Sequence, residues 1–404
     1  MKRCLIRIAC VLACAAVLLS CSKVERELLP SRRVVLLYGA AFSNLSTDID
    51  KNFNDFCKGE LPYVGSEDVL LVYNHIPSKY GVYTPTEPVL YRAYKGQDNI
   101  IRKDTLIVYP SSDISGSPEV LSKVLTDVKD MFPARSYGLL FSSHGKGWLP
   151  KGYSEGSGIS LFSVKDPLPW HPPTKDLGIE KVEGSGIEIA DLPGAIPMHL
   201  DFIIMDACLM GCVEVAYELR DKCDILIFSP TEILSSGMNY YSMPRQLLNI
   251  PVPDLTGLSK DYYEMYQAQS GLYKSATITM VDCSKTQALA DAVAEIVGAH
   301  RDGISSADRS EVQAYFYASS SIELHKFFDL RDILVKAGAT DSELERLDKA
   351  LNECIIYTAA TEKFFELELK SVCGLSMYLP EDDDTELNDF YKTLSWNKAI
   401  GLIQ

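Results

Sequence analysis

The stretch "YGLLFSSHGKGW" (Tyr137–Trp148) runs through an apolar segment and ends on Ser142, Ser143 and His144 before two glycines break it. A second stretch, "LDFIIMDACLMGC" (Leu200–Cys212), repeats that shape, its apolar run ending on Asp206, Ala207 and Cys208, with Cys208 lying 64 residues after His144. Both read as strands that deliver a reactive side chain where the backbone leaves the sheet. Two such ends point to one site.

Working outward, short apolar runs recur: "VVLLYGA" from Val34, "DVLLVYNH" from Asp68, "DTLIVYP" from Asp104 and "CDILIFSP" from Cys223. Continuous rather than alternating apolarity predicts strands buried on both faces. Helix-patterned segments lie between them, such as "SPEVLSKVLTDVKDMF" with Ser117 as cap before Pro118, and "CVEVAYELRDK" from Cys212. Strand and helix in alternation predict an α/β fold, a mostly parallel sheet flanked by helices. "PVLYRAYKGQDNIIRKDTLIVY" reads instead as an antiparallel excursion turning at Lys95–Asn99. Residues 146–188 are rich in Gly, Pro, Lys and Ser without periodicity, a loop long enough to be functional or mobile. After residue 245 the pattern turns helical, including "DSELERLDKALNECIIYTAATEKFFE", while "SATITMVD" and "GLSMYLP" are candidates to return to the sheet.

With 404 residues, 47% of them hydrophobic, the chain can bury a full core. Its opening, "MKRCLIRIACVLACAAVLLSCSK", places Lys2, Arg3 and Arg7 before an apolar run too short to cross a bilayer, the pattern of an export signal. "LLSC" also resembles a bacterial lipobox, in which Cys21 becomes the lipid-bearing first residue. The expected divisions are a signal over 1–20, a tether over 21–31, a catalytic core over 32–245 and a helical C-terminal part over 246–404 that returns a strand to the core. Such a protein is exported and lipid-anchored to a bacterial membrane, expected to be the outer one, facing the periplasm or the cell surface. Losing residues 1–20 removes three positive charges and no negative ones, taking the net charge from −16 to −19, which argues against nucleic acid as a partner. Seven cysteines follow Cys21, so at least one thiol stays free in an oxidising compartment. Cys208 and Cys212 lack the spacing and neighbouring histidines of a zinc site, so no metal is assigned.

In doubly wound sheets ligands sit beyond the carboxyl ends of the strands, where His144 and Cys208 are placed. A thiol is mostly protonated at neutral pH, and a histidine beside it supplies thiolate by taking the proton. Gly145 lets the backbone pass close to a substrate carbonyl, where amides near Gly145 and Cys208 are candidates to hold an oxyanion. Each residue taken alone has a plainer reading, the cysteine as a small core residue and the histidine as a satisfied polar group. As a pair at matched strand ends they point to a Cys/His hydrolase.

"LLFSSHGKGW" followed by "LDFIIMDACLMGCVEVAYEL" resembles the His-Gly and Asp-Ala-Cys blocks of the clostripain family of cysteine peptidases, relatives of caspases, gingipains and legumains. "IFSPTEILSSGMNYY", "FFDLRDIL" and "GLSMYLP" extend the likeness over roughly residues 33 to 380. The resemblance implies a caspase-like α/β sandwich with a helix-rich C-terminal extension, His144 as general base and proton donor, and Cys208 as nucleophile forming an acyl-enzyme on protein or peptide substrates. It implies no cofactor, though some members respond to calcium, and it suggests a monomer. It also places Asp206 in the pocket for the residue before the cut, selecting Arg or Lys; the plainer reading is a helix cap or loop brace. Thr231 and Glu232 fall in the same pocket region, and Glu232 either adds charge there or faces solvent. Several members cut themselves in the loop after the histidine block, and Lys146, Lys151, Lys165, Lys175 and Lys181 offer such sites or simply keep the loop soluble. The alternatives are a caspase-like scaffold lipoprotein that binds a partner without cleaving, and a peptidase of non-basic specificity. His75 lines the cleft or caps a turn, His171 is structural, and Glu362, Glu366 and Glu368 form the solvated face of a helix.

Overall fold

Five of the six continuous apolar runs lie side by side as the parallel centre of one sheet. The computed structural model describes residues 30–41, 45–76, 86–151, 153, 171–175, 186–315 and 326–404. Its strands are β1 (Arg33–Gly39), β2 (Asp68–Asn74), β3 (Val89–Lys95), β4 (Ile101–Val108), β5 (Tyr137–Ser142), β6 (Leu200–Asp206), β7 (Cys223–Phe228), β8 (Thr277–Asp282), β9 (Phe328–Asp329), β10 (Ile355–Ala360), β11 (Lys363–Phe364), β12 (Leu367–Glu368) and β13 (Ser376–Met377). Nine of them form a sheet in the order β10-β8-β7-β6-β5-β1-β2-β3-β4. The run from β7 to β2 is parallel. Every residue of β1 and of β2 is buried, as strands covered on both faces require. Ser31–Gln404 form one compact unit.

The flanking helices end where the sequence signals them. Ser117 caps the helix Pro118–Met131 by accepting from the Val120 amide, and Asp254 caps Leu255–Gln267 through the Gly257 amide. Thr340 and Glu343 form a capping box at the start of Asp341–Cys354.

Three expectations change at the edges. "DTLIVYP" is not a buried parallel strand: it ends β4, an antiparallel edge strand paired only with β3 and largely exposed. The helix expected to run through "ECIIYTAATEKFFE" stops at Cys354, and β10 follows as the other edge, antiparallel to β8. The β-branched and aromatic residues Ile355, Ile356, Tyr357 and Thr358 favour a strand, and their exposure alternates along it. Glu362, Glu366 and Glu368 therefore lie around the β11–β12 hairpin and not on a helix face. "SATITMVD" joins the sheet as β8, whereas "GLSMYLP" pairs as β13 with β9 in a small separate ladder. The signal and Cys21 lie outside the described residues. Among the described residues no helix is long and apolar enough to cross a membrane.

Among the contacts that close the C-terminal part onto the core is a buried acid. Glu214, in the first turn of Val213–Glu218, accepts from the Tyr378 amide at 3.0 Å and the Tyr391 hydroxyl at 2.6 Å. Burial outweighs those hydrogen bonds and raises its carboxyl from 4.5 to about 7. The folded chain thus binds this proton more tightly than the unfolded chain. Its contribution is complete below pH 4.5 and is lost as pH rises through about 7, a change of about 3 kcal/mol. Thermal melts from about pH 5 to about pH 8 are expected to show falling stability, and Glu214→Gln, which keeps the acceptor, is expected to flatten that slope.

Candidate active site

The spacing between the two opening stretches is preserved as sheet register. β5 and β6 pair in parallel with Ser142 opposite Asp206, a separation of 64 residues, so the same offset carries on to His144 and Cys208 just past the strand ends. Gly145 keeps them together: a Cβ there would lie 2.2 Å from the Cys208 carbonyl oxygen and 2.9 Å from its amide nitrogen. Only a glycine permits that approach. Beyond Cys208 the chain reverses sharply, with Leu209 in the left-handed region at φ 60°. That conformation costs a non-glycine residue about 1 kcal/mol or more. It is held by the Leu209 amide on Thr231 O and the Gly211 amide on Ser229 O, at 3.0 and 2.7 Å. Ser376 of β13 adds a bond from its amide to Gly211 O at 3.0 Å. On the histidine side, Trp148 is buried against Phe327, Tyr378 and Tyr391. Segments far apart in sequence thus fix the loops that carry His144 and Cys208.

Asp206 sits fully buried below this point. One carboxylate oxygen accepts from Ser142 Oγ at 2.9 Å, from the Tyr240 hydroxyl and from the ammonium of Lys175. Burial, with Asp206 beside it, pushes the Tyr240 phenol well above its usual range, so it remains a donor. Gly237, at φ +65°, packs beneath the carboxylate, where a Cβ would meet both oxygens at 3.0 Å. Its carbonyl accepts from Tyr266 Oη at 2.7 Å, which holds the loop from the helix behind it.

Lys175 is the residue that sequence reasoning offered only as one lysine among five. Its side chain is completely buried, with Nζ also donating to Ser142 Oγ at 2.9 Å. The backbone leading to it lies as an added strand along Ile233–Ser235. Lys175 N donates to Ile233 O at 2.7 Å, Ser235 N donates to Pro173 O at 2.8 Å, and Thr174 pairs antiparallel with Leu234. The Ile233 amide meanwhile donates to Cys208 Sγ at 3.2 Å, so one residue holds the Cys208 sulfur and the Lys175 backbone together. Thr174 Oγ1 donates to Glu232 Oε1 at 3.1 Å. His171 anchors the start of the segment, with Nε2 2.7 Å from Glu366 Oε2 and its ring against Phe365.

The remaining sites fall as follows. Thr231, expected along the pocket, turns its hydroxyl into a buried network with Ser229, Thr277 and the Glu232 carbonyl. Lys146 and Lys151 belong to the described residues and are not buried, while Lys165 and Lys181 lie outside the described residues. His75 is buried 3.3 Å from Ser115 Oγ, and burial lowers its ring to about 4. Among the described residues no cluster of three or more His, Cys, Asp or Glu side chains could hold a metal ion. Ser142 and Tyr240 were missed. Ser142 was findable, since it precedes His144 by two residues as Asp206 precedes Cys208; Tyr240 had no comparable signal.

A sheet of this topology, with cysteine and histidine at adjacent strand ends, defines a caspase-like cysteine peptidase. The clostripain family model matches residues 43–401, and the chain belongs to that family. It is similar to an inactive zymogen C11 protease from Parabacteroides distasonis, with 27% identity and a TM-score of 0.75, covering 92% of this chain and 99% of the other. The secreted C11 cysteine protease iotapain from Bacteroides thetaiotaomicron shares the fold, with 22% identity, a TM-score of 0.73 and coverage of 92% and 99%. A secreted C11 protease from the same organism, in complex with an irreversible peptide inhibitor, does so at 24% identity and a TM-score of 0.71, covering 91% and 98%. No curated protein matches the chain.

Cys208 is fully buried in this arrangement. Removing the lysine ammonium leaves Asp206 buried without its countercharge, which favours release of the segment. Against the parent protein as the uncut chain, Lys175→Ala is expected to speed alkylation of Cys208 by iodoacetamide on the order of 100-fold, followed by peptide mass spectrometry that also separates uncut from cut chain. Equal rates in the two proteins would contradict a segment that closes the groove.

Proposed function

We propose that the protein is an endopeptidase that cuts after a basic residue, and that its own Lys175 is its first substrate. The observation that carries this reading is the burial of the Lys175 side chain against Asp206 while its backbone pairs with Ile233 beside the Cys208 thiol. An extended peptide added along a sheet edge, with one side chain in a pocket, is a common mode of peptide recognition. A buried carboxylate selects a cation there because an uncharged side chain would leave the charge uncompensated.

In the reaction, Cys208 Sγ gives its proton to His144 and attacks the carbonyl carbon of the bound lysine. The amides of Gly145 and Cys208 receive the developing oxyanion. His144 returns the proton to the departing amine, leaving a thioester on Cys208. Water, losing a proton to His144, then adds to the thioester and releases the new carboxyl terminus and the thiol. No metal or organic cofactor takes a part in these steps. The protein acts as a monomer on peptides and proteins, exported and lipid-anchored at Cys21. The opening sequence supports that placement, as do similar folds among secreted proteases.

The test uses the soluble chain beginning after Cys21, with Lys, Arg and Ala reporter peptides and mass spectrometry of the chain itself. Cleavage after lysine and a chain break following Lys175 are expected, both absent in Cys208→Ala and both surviving chelator apart from any calcium response. Asp206→Asn should lower kcat/KM for basic reporters by about 100-fold or more. Cleavage after alanine alone would establish a non-basic specificity, and no cleavage of any substrate would leave a binding scaffold. In cells, Cys21→Ser is expected to move the protein from the membrane fraction to the soluble fraction.

A further inference from the structure

Glu232 is a buried acid at the groove that the cutting reaction does not use. It precedes Ile233, the residue that pairs with Lys175, and it is only 4% exposed. Its carboxylate accepts from the hydroxyl of Thr174, the residue immediately before the buried lysine. The geometry points to Glu232 as a second specificity residue: it reads the side chain preceding the basic residue and favours one that donates a hydrogen bond. This rests on the reading of Pro173–Lys175 as a bound substrate strand.

The pairing pattern fixes which side chain faces which residue. With Lys175 N on Ile233 O and Ser235 N on Pro173 O, Thr174 lies opposite Leu234, and its hydroxyl reaches back to Glu232. Any peptide making the same two backbone bonds places its own penultimate side chain there. A shielded carboxylate offered a methyl group in place of a hydroxyl loses a donor it has already given up water for. Offered another carboxylate, it is repelled across a poorly screened gap. Offered an ammonium or guanidinium, it gains a charge-assisted bond. The preferred substrates are therefore peptides with Thr, Ser, Lys or Arg directly before the lysine, with the isosteric Val disfavoured and Asp disfavoured most. In this assignment Glu232 does not add to the charge around the lysine ammonium.

The test is a competition among three reporter peptides, Pro-Thr-Lys, Pro-Val-Lys and Pro-Asp-Lys, each with a leaving group of distinct mass, mixed in one reaction. Ratios of kcat/KM from a mixture do not depend on how much of the enzyme has an open groove. The parent protein is expected to prefer Thr over Val by about tenfold or more and to cut the Asp peptide most slowly. Glu232→Ala is expected to bring the Thr:Val ratio towards one. Glu232→Gln keeps an acceptor for threonine and is expected to retain the Thr:Val preference while lifting the penalty on Asp. A Thr:Val ratio near one in the parent protein, or ratios unchanged in both variants, would overturn the assignment while leaving the peptidase reading intact. Failure to cut any peptide would overturn both.

Discussion

The parallel pairing of β5 with β6 is the constraint from which the site follows. A shift of one residue would turn every side chain of a strand to the other face of the sheet, and the different side chains packed against the two faces specify the register. Ser142 opposite Asp206 is therefore fixed by the core rather than by the chemistry above it. The glycine beyond β5 and the left-handed turn beyond β6 then convert strand register into contact between the two backbones at Gly145 and Cys208. The C-terminal part adds rigidity: Phe327, Tyr378 and Tyr391 hold the histidine loop through Trp148, while Ser376 holds the turn after the cysteine.

Below His144 and Cys208 the physics is that of a charge removed from water. A carboxylate as deeply buried as Asp206 needs donors, and Ser142, Tyr240 and Lys175 supply them. Two of these belong to the rigid frame, one on β5 and one on the loop held by Tyr266. The third arrives on a separate segment whose backbone bonds are those of an added strand. The frame supplies two neutral donors, and the countercharge comes from the separate segment. In this structure the two charges of the buried pair thus belong to separate parts of the chain, Asp206 to the frame and Lys175 to the added segment.

The centre of the fold was legible because runs such as Val34–Tyr38 and Phe202–Met205 are apolar without alternation, the mark of strands covered on both sides. The edges were less so. Ile355–Ala360 directly follows a well-capped helix, and a short apolar run in that position fits either continuation until its neighbour β8 is known. His144, Gly145, Asp206 and Cys208 were all within reach because each sits within a few residues of a strand end. Lys175 was not. Its sequence surroundings resemble those of the other loop lysines, and only the tertiary approach of residues 171–175 to Ile233 distinguishes it. Thr231 illustrates the opposite error of resolution: it is adjacent to Glu232 in sequence, yet its hydroxyl is turned into the packing between β7 and β8.

The strand Pro173–Lys175 is part of the chain it binds, so its encounter with the groove is unimolecular. In the proposed reading of this strand as a substrate, covalent attachment sets an effective concentration on the order of millimolar. A free peptide making the same contacts competes on equal terms only near that concentration, however well its sequence suits the groove. In that reading the covalent connection by itself gives the internal segment an advantage. Severing the chain on one side of the lysine would then weaken the advantage without altering a single residue around Asp206, and chain connectivity sets the concentration at which a free peptide competes.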